Sequence, residues 1–126
     1  MEKNEVGKLA WFDLTVTDAS ALKDFYKSVV GWKENPIDMG GYSDYSIQTP
    51  DSLTDVAGIC HARGPNQDLP AQWLLYFKVA DLQASISSVT QLGGTLISPI
   101  RQLGSNSHFA VIRDPAGAVC AIYAGD

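Results

Sequence analysis

Residues 9–18 read LAWFDLTVTD and residues 72–81 read QWLLYFKVAD, so one short pattern occurs twice in the chain, 63 positions apart. Four pairs of residues match at this offset: Val16 with Val79, Asp18 with Asp81, Ala21 with Ala84 and Gly31 with Gly94. A pattern that recurs at a fixed offset predicts two copies of one supersecondary unit. Two copies within 126 residues predict a single pseudo-symmetric domain, with any pocket lying between the copies.

Each copy is expected to open with a strand and a helix. In the first copy, alternation predicts a strand that directs Phe12, Leu14 and Val16 toward the helix. Asp18 is a good N-cap and Gly31 a good left-handed residue after the last helical turn, so a helix is expected between them. The expected apolar stripe of this helix consists of Leu22, Phe25, Tyr26, Val29 and Val30.

The remaining strands follow from short apolar runs bounded by turn residues. They are expected at 32–37, 42–48 and 56–62 in the first copy, and at 73–80, 95–100, 108–113 and 118–124 in the second. The second helix follows Asp81, with an apolar stripe at Leu82, Ile86, Val89 and Leu92.

The predicted fold class is therefore α+β. Two βαβββ modules form one cupped mixed β-sheet, with the two helices on its outer face. The modules span residues 8–62 and 72–124, and the polar segment 63–71, with its two prolines and a glycine, is the predicted linker.

The composition excludes several classes of partner. The formal net charge is −5 and the basic residues are isolated, whereas binding to nucleic acid requires a basic surface. No apolar run approaches a membrane span, and no signal segment is evident at the charged N-terminus. Without a phosphate loop or a dinucleotide fingerprint, no cofactor is expected. Cys60 and Cys120 lie in apolar runs, which indicates buried, reduced thiols in a protein of the cytoplasm. The sequence does not decide whether the two cysteines form a disulfide, because it does not give the distance between them.

Four short motifs carry a resemblance to a known family: Val16-x-Asp18, Phe25-Tyr26, Val30-Gly31-Trp32 and Asp114-Pro-Ala-Gly117. In their order, spacing and duplication they resemble the vicinal oxygen chelate superfamily, which contains glyoxalases, bleomycin-resistance proteins and extradiol dioxygenases. The resemblance covers nearly the whole chain. It implies a U-shaped sheet that encloses a cavity, commonly in a homodimer.

The resemblance also implies four symmetric metal-ligand positions, two on the first strands and two on the last strands of the copies. Counted from Asp18 and Asp114 with the 63-residue offset, they fall on Trp11, Leu74, Gly58 and Ala121. None of these side chains coordinates a divalent metal ion, because such sites need imidazole, carboxylate or thiolate donors. No metal site is therefore expected at these positions.

Strand alternation, with the offset between the copies, predicts which residues line the cavity. The expected ligand-binding residues are Trp11, Asp13, Thr15, Cys60, Leu74, Tyr76, Lys78, His108 and Tyr123. His108 is included because it is offset by 63 from Tyr45, and both rings carry a polar group. His61 is expected at the surface or a sheet edge, since alternation sends it away from Cys60.

Asp13 is the most informative of these residues, because a carboxylate within an apolar cup requires a partner or a shifted pKa. It is expected to pair with Lys78 or Tyr76, to bind a ligand or act as an acid or base, or to face solvent. Trp11, Trp73 and Tyr123 either pack in the core or a dimer interface, or provide a stacking surface for an aromatic ligand.

Three functions remain open. The first is a metal-free protein of the bleomycin-resistance type that binds a small apolar or aromatic molecule, and it is preferred. The second is a metal-independent lyase or isomerase that uses Asp13, helped by Tyr76, Lys78 or His108. The third is a metal-dependent glyoxalase or dioxygenase with displaced ligands, such as Asp13, Cys60 and His108.

Overall fold

The computed structural model describes residues 5–103 and 106–125 of the chain. Its strands and helices are, in chain order, β1 (Leu9–Val16), α1 (Ala19–Val30), β2 (Lys33–Asp38), β3 (Ser43–Gln48), β4 (Asp55–His61), β5 (Trp73–Lys78), α2 (Leu82–Gln91), β6 (Thr95–Leu96), β7 (Arg101–Leu103), β8 (Ser107–Arg113) and β9 (Val119–Ala124). A 3-10 turn at Gly64–Asn66 lies between β4 and β5. The α+β fold class is confirmed.

Both helices begin and end close to the predicted residues. The carboxylate of Asp18 accepts a hydrogen bond from Ala21 N at 3.1 Å, and that of Asp81 accepts one from Ala84 N at the same distance. Gly31 adopts φ 90° and donates its N–H to the carbonyl of Lys27, which ends α1. The two N-caps thus use one mechanism, as the repeat predicts.

The predicted strand over 95–100 is correct only at its start, because β6 ends at Leu96 and the next strand, β7, begins at Arg101. The hydroxyl of Ser98 accepts the N–H of Val111 at 3.1 Å and so takes the place of a backbone acceptor. Pro99 follows and has no N–H to donate, so the ladder with β8 cannot continue through it.

The described chain divides into two compact units. The N-terminal unit contains residues 12–73, and the C-terminal unit contains the described residues of 1–11 and 74–126. The module boundaries 8–62 and 72–124, with their linker 63–71, remain a prediction.

The N-terminal unit has the strand order β2-β3-β4-β1, in which β1 runs parallel to β4 and the other neighbours are antiparallel. Its core, on the face covered by α1, is formed by Ala19, Tyr45, Ile47, Ala57 and Ile59. Phe12, Val16, Tyr26, Trp32 and Trp73 pack against this core. The rings of Tyr26 and Trp73 lie 5.3 Å apart, and Trp73 Nε1 donates to the Tyr26 hydroxyl at 3.1 Å.

The C-terminal unit has the order β5-β9-β8-β6, and β7 also pairs with β8. Strand β5 runs parallel to β9, and the backbone of Gly7 and Lys8 pairs with that of Lys78. The core under α2 is formed by Leu82, Ala110, Ile112 and Ile122. Each unit therefore has one helix that covers one face of its strands.

The predicted apolar stripe of α1 is only partly buried. Ala19, Leu22 and Tyr26 face the sheet, whereas Phe25 is 55% and Val29 64% exposed. The predicted stripe is too wide, because spacing by three and four admits more residues than one sheet can cover. Neither described helix is long and apolar enough to cross a membrane.

Candidate functional site

The N-terminal unit brings three of the predicted ligand-binding residues together. In the β1–β4 ladder, Asp13 is the partner of Gly58 and Thr15 is the partner of Cys60. Phe12 and Val16 belong to the core under α1, so the alternating residues Asp13 and Thr15 lie on the opposite face. Thr15 is buried, and Asp13 and Cys60 are half-buried.

The C-terminal unit brings four others together. We call the sheet face turned away from α2 the C-unit face, formed by Leu74, Tyr76, Lys78, Phe109, Val111, Ala121 and Tyr123. Tyr76 is the ladder partner of Ala121, and Lys78 is the partner of Tyr123. The rings of Tyr76 and Phe109 lie 5.4 Å apart, which shows that β8 contributes to the same face. Trp11, half-buried in β1, belongs to the same unit.

Lys78 is a buried cation on the C-unit face, at the end of β5. Its side chain is only 6% exposed, although lysine is rarely buried without a partner. Its ammonium donates to the carbonyl of Gly125 and lies 5.0 Å from the centroid of the Tyr123 ring. Arg101 lies in a similar position, with its guanidinium carbon 4.8 Å from the centroid of Phe109. The face can therefore offer aromatic rings and cations together.

His108 does not lie on the C-unit face. Its ladder partner is Ala124, and the next pair along β8 and β9, Ala110 with Ile122, belongs to the core under α2. His108 is exposed and lines a cavity of about 290 Å³ with Leu82 and the start of α2. His108 was predicted to line the cavity because it is offset by 63 residues from Tyr45. Tyr45, however, also faces the helix of its own unit, where its hydroxyl forms a hydrogen bond with the hydroxyl of Ser20 at 2.8 Å.

Sequence reasoning missed Phe109, although alternation contained the signal. Once His108 is assigned to the helix side, its neighbour Phe109 must lie on the other face. The register agrees, because Phe109 is the partner of Tyr123. Arg101 carried no such signal, since it lies in the short strand that the sequence did not predict.

His61 is more buried than expected. Its backbone N–H donates to Asp44 Oδ1 at 2.8 Å, and its Nδ1 lies 3.4 Å from the same oxygen. Its side chain is 11% exposed, and its ring meets that of Tyr42 at 5.5 Å. The carboxylate of Asp44 fixes this end of β4, a role that spacing in the sequence did not reveal.

The four implied metal positions lie where the sequence predicts them on the strands, but their side chains do not fit a metal ion. Gly58, Leu74 and Ala121 are buried, and Trp11 is half-buried. Within residues 5–103 and 106–125, no three His, Cys, Asp or Glu side chains come together in a group that could hold a metal. This includes the displaced set of Asp13, Cys60 and His108.

The two cysteines are both free and half-buried. Burial raises the pKa of the Cys120 thiol, and the negative charge of Asp114 raises it further. A thiol that stays protonated is a poor nucleophile, so Cys120 is not suited to covalent catalysis.

Comparison with known proteins gives a family and several relatives. The family described as "Glyoxalase/Bleomycin resistance protein/Dioxygenase superfamily" matches residues 8–122. The protein CFP32 of Mycobacterium tuberculosis, named provisionally as a glyoxylase, is 33% identical over 115 residues, covering 90% of this chain and 44% of its own. The anthracycline biosynthesis protein DnrV of Streptomyces peucetius is 33% identical over 129 residues, covering 93% of this chain and 46% of its own.

The chain thus spans less than half the length of these curated relatives. Among solved structures, a member of the same superfamily from Vibrio splendidus 12B01 superposes with a TM-score of 0.59. It is 12% identical, and the match covers 90% of this chain and 96% of that one. At this identity the likeness concerns the fold alone.

Proposed function

Because the chain belongs to the glyoxalase/bleomycin resistance protein/dioxygenase superfamily, we propose that it binds a small, flat aromatic molecule. No metal ion takes part in this binding. The observation that carries the proposal is the chemistry of the implied metal positions. Trp11, Gly58, Leu74 and Ala121 offer no ligand atom, whereas aromatic rings and a buried cation lie on the same face as two of them.

The C-unit face supports an aromatic ligand. Tyr76, Phe109 and Tyr123 present rings on which a flat molecule can stack, and the ammonium of Lys78 can meet an electron-rich or anionic oxygen. Arg101 covers Phe109 and would be displaced by a ring that stacks there. The relative named for anthracycline biosynthesis adds support for a polycyclic aromatic compound.

The N-terminal unit carries predicted ligand-binding residues of its own, on the sheet face turned away from α1. We propose Asp13, Thr15 and Cys60 as ligand-binding residues of this unit. Within the C-terminal unit, Trp11 and Leu74 are proposed as apolar contacts for the aromatic ligand. His108 is left out because it faces α2. The alternative in which Asp13 is a catalytic acid or base remains a prediction, and an unchanged turnover in Asp13→Asn would contradict it.

The test of the binding proposal is a titration of the purified chain with an anthracycline aglycone, read by equilibrium dialysis and by thermal shift. The variant Tyr123→Leu should weaken binding about two- to tenfold, since stacking of one aromatic pair contributes roughly 0.5–1.5 kcal/mol. Tyr42→Leu is the matched control. Tyr42 also lies under a cation, with the guanidinium of Arg63 4.3 Å from its ring centroid, but outside the C-unit face.

If Tyr123→Leu and Tyr42→Leu weakened binding of the ligand equally, that result would count against a site on the C-unit face. An absence of saturable binding across a panel of planar aromatic compounds would overturn the proposed function itself. Tyr123 is half-buried rather than central to the core, so its replacement should leave the fold intact.

Two further properties are part of the proposal. The chain is proposed to form a homodimer, and the exposed side chains of Phe25 and Val29 on α1 support an apolar contact with a second copy. It is also proposed to work in the cytoplasm, since both cysteines are free and half-buried.

A further inference from the structure

Next to α2, on the side of the C-terminal sheet opposite the C-unit face, lies a cavity larger than the one that His108 lines. We call it the α2 groove. One wall is the helix face that carries Ala84, Ser88 and Leu92, and the other includes Val6, Ile112 and Pro115. Its volume is about 580 Å³, within the range of small-molecule sites.

Small side chains on α2 keep this groove open. Leu82, Ile86 and Val89 pack on the core, whereas Ala84 and Ser88 are too short to fill the adjoining space. Leu92 is 75% exposed at the end of the same wall. The result is an apolar concavity that no side chain of the helix occupies.

The charged groups of the α2 groove are both negative. Asp81 lies at the start of α2 and Asp114 in the turn before β9, and no Lys, Arg or His occurs among the described residues that line the groove. Asp81 Oδ1 accepts from Ala84 N, and Asp114 Oδ1 accepts from Ala116 N at 2.8 Å and from Ala118 N at 3.0 Å. These bonds hold both carboxylates in place.

The charge of Asp114 acts inside the unit as well as at the surface. Besides burial, it contributes to the raised pKa of the Cys120 thiol, which packs against the core under α2. Asp81 differs, because the positive end of the α2 dipole partly offsets its charge. Asp114 should therefore contribute more to the negative potential of the groove.

We propose that the α2 groove binds a lipophilic organic cation, meaning an apolar or aromatic body that carries a quaternary centre or a protonated amine. The apolar walls favour the hydrocarbon part, and two fixed carboxylates, with no Lys, Arg or His among the described lining residues, favour a positive charge. An anion of the same shape would be repelled. The site is independent of the C-unit face, which lies on the other side of the same sheet.

The experiment compares tetraphenylphosphonium with tetraphenylborate, which have nearly the same shape and opposite charge. Binding to the full chain is measured by equilibrium dialysis at low and high salt. We expect saturable binding of the cation that weakens with salt, and at least tenfold weaker binding of the anion. Equal binding of both ions would overturn the proposal, because it would reduce the groove to a non-selective apolar surface.

Variants locate the site. Asp114→Asn and Asp81→Asn remove the charges but keep an oxygen for the backbone amides, so the cap and the turn should persist. Each should weaken binding of the cation, Asp114→Asn by about threefold or more and Asp81→Asn by less. Asp51→Asn, an exposed loop position in the N-terminal unit, is the matched control and should leave binding unchanged.

Ser88→Trp should fill the groove and abolish binding of the cation, whereas Tyr123→Leu should not affect it. Binding of the aromatic ligand at the C-unit face should be weakened by Tyr123→Leu and unaffected by Ser88→Trp. If both Asp→Asn variants bind the cation as tightly as the parent chain, the proposal is wrong. That result would leave the function proposed for the C-unit face untouched.

Discussion

At the scale of single residues, the raised pKa of Cys120 has a direct chemical consequence. Burial and the charge of Asp114 both disfavour the thiolate. In a Cys60→Ser background, alkylation by iodoacetamide should therefore be slow at mildly alkaline pH, with a midpoint above that of a free thiol. Asp114→Asn should lower this midpoint, but not as far as the midpoint of a free thiol, because burial is the larger cause of the raised pKa. A midpoint equal to that of free cysteine would contradict this account.

The same shift affects stability. The thiol loses its proton more readily in the unfolded chain, so unfolding releases a proton at alkaline pH. The free energy of unfolding should fall as the pH rises above the ordinary pKa of a thiol. Replacing Cys120 by serine should remove this part of the slope in denaturant titrations.

Lys78 allows binding and stability to be separated. In Lys78→Met, the carbonyl of Gly125 loses its donor, but Gly125 is exposed and water can replace the ammonium. Removal of a buried charge also relieves its desolvation, so the free energy of unfolding in urea should change by less than about 1 kcal/mol. Binding of an aromatic ligand with an acidic group should weaken about tenfold. A large loss of stability with unchanged binding would make Lys78 a structural residue only.

At the scale of elements, two glycines should respond to alanine for different reasons. Gly31 ends α1 at φ 90°, and a Cβ added there would meet open space, so Gly31→Ala should destabilise by about 1 kcal/mol through backbone strain. A Cβ on Gly94 would lie 2.8 Å from the carbonyl oxygen of Arg113 and 2.9 Å from Val89 Cγ1. Gly94→Ala should therefore cost more, about 1–3 kcal/mol.

Urea unfolding of the two variants measures this difference. Ala21→Gly, at an exposed position of α1, is a useful reference for an ordinary helix-propensity effect of up to about 1 kcal/mol. If Gly94→Ala lowered the free energy of unfolding no more than Gly31→Ala does, the backbone after α2 would have to shift more easily than the close contacts of Gly94 indicate.

The sequence was sufficient for elements whose signals are local. Asp18 and Asp81 mark the helix starts, Gly31 marks a helix end, and alternation assigns Phe12 and Val16 to the helix side. The exposure of Phe25 and Val29 could not be predicted from local signals, because it depends on how much of the surface of α1 the sheet covers. The break at Pro99 also escaped, since it depends on a hydrogen bond from the distant Val111 to Ser98.

The candidate site was predicted less well than the fold. Tyr76 and Lys78 were assigned to one face by alternation, and the ladder that pairs Lys78 with Tyr123 adds Tyr123 to that face. His108 was misplaced because the offset between copies equated it with Tyr45, which itself faces a helix. Arg101 could not have been found, because its contact with Phe109 depends on a strand of three residues.

At the scale of the whole molecule, the chemistry of the implied metal positions predicts no response to metal ions. Gly58, Leu74 and Ala121 have no donor atoms in their side chains, and Trp11 has only an indole. Addition of zinc, nickel, manganese or ferrous ions should leave the melting temperature unchanged, and so should a chelator. A rise with saturable stoichiometry for any of these ions would contradict the metal-free function, because binding to the folded state must stabilise it.

The last prediction concerns association of the chain with itself. Phe25 and Val29 lie one turn apart on α1 and are both more than half exposed, so they form a small apolar surface. If this surface joins two copies, Phe25→Ser with Val29→Lys should yield a monomer in sedimentation experiments at concentrations where the parent chain is dimeric. Met39→Ser, which removes another exposed apolar side chain of the same unit, should leave the dimer intact. A parent chain that stays monomeric, or a double variant that stays dimeric, would assign the exposed stripe of α1 to some role other than self-association.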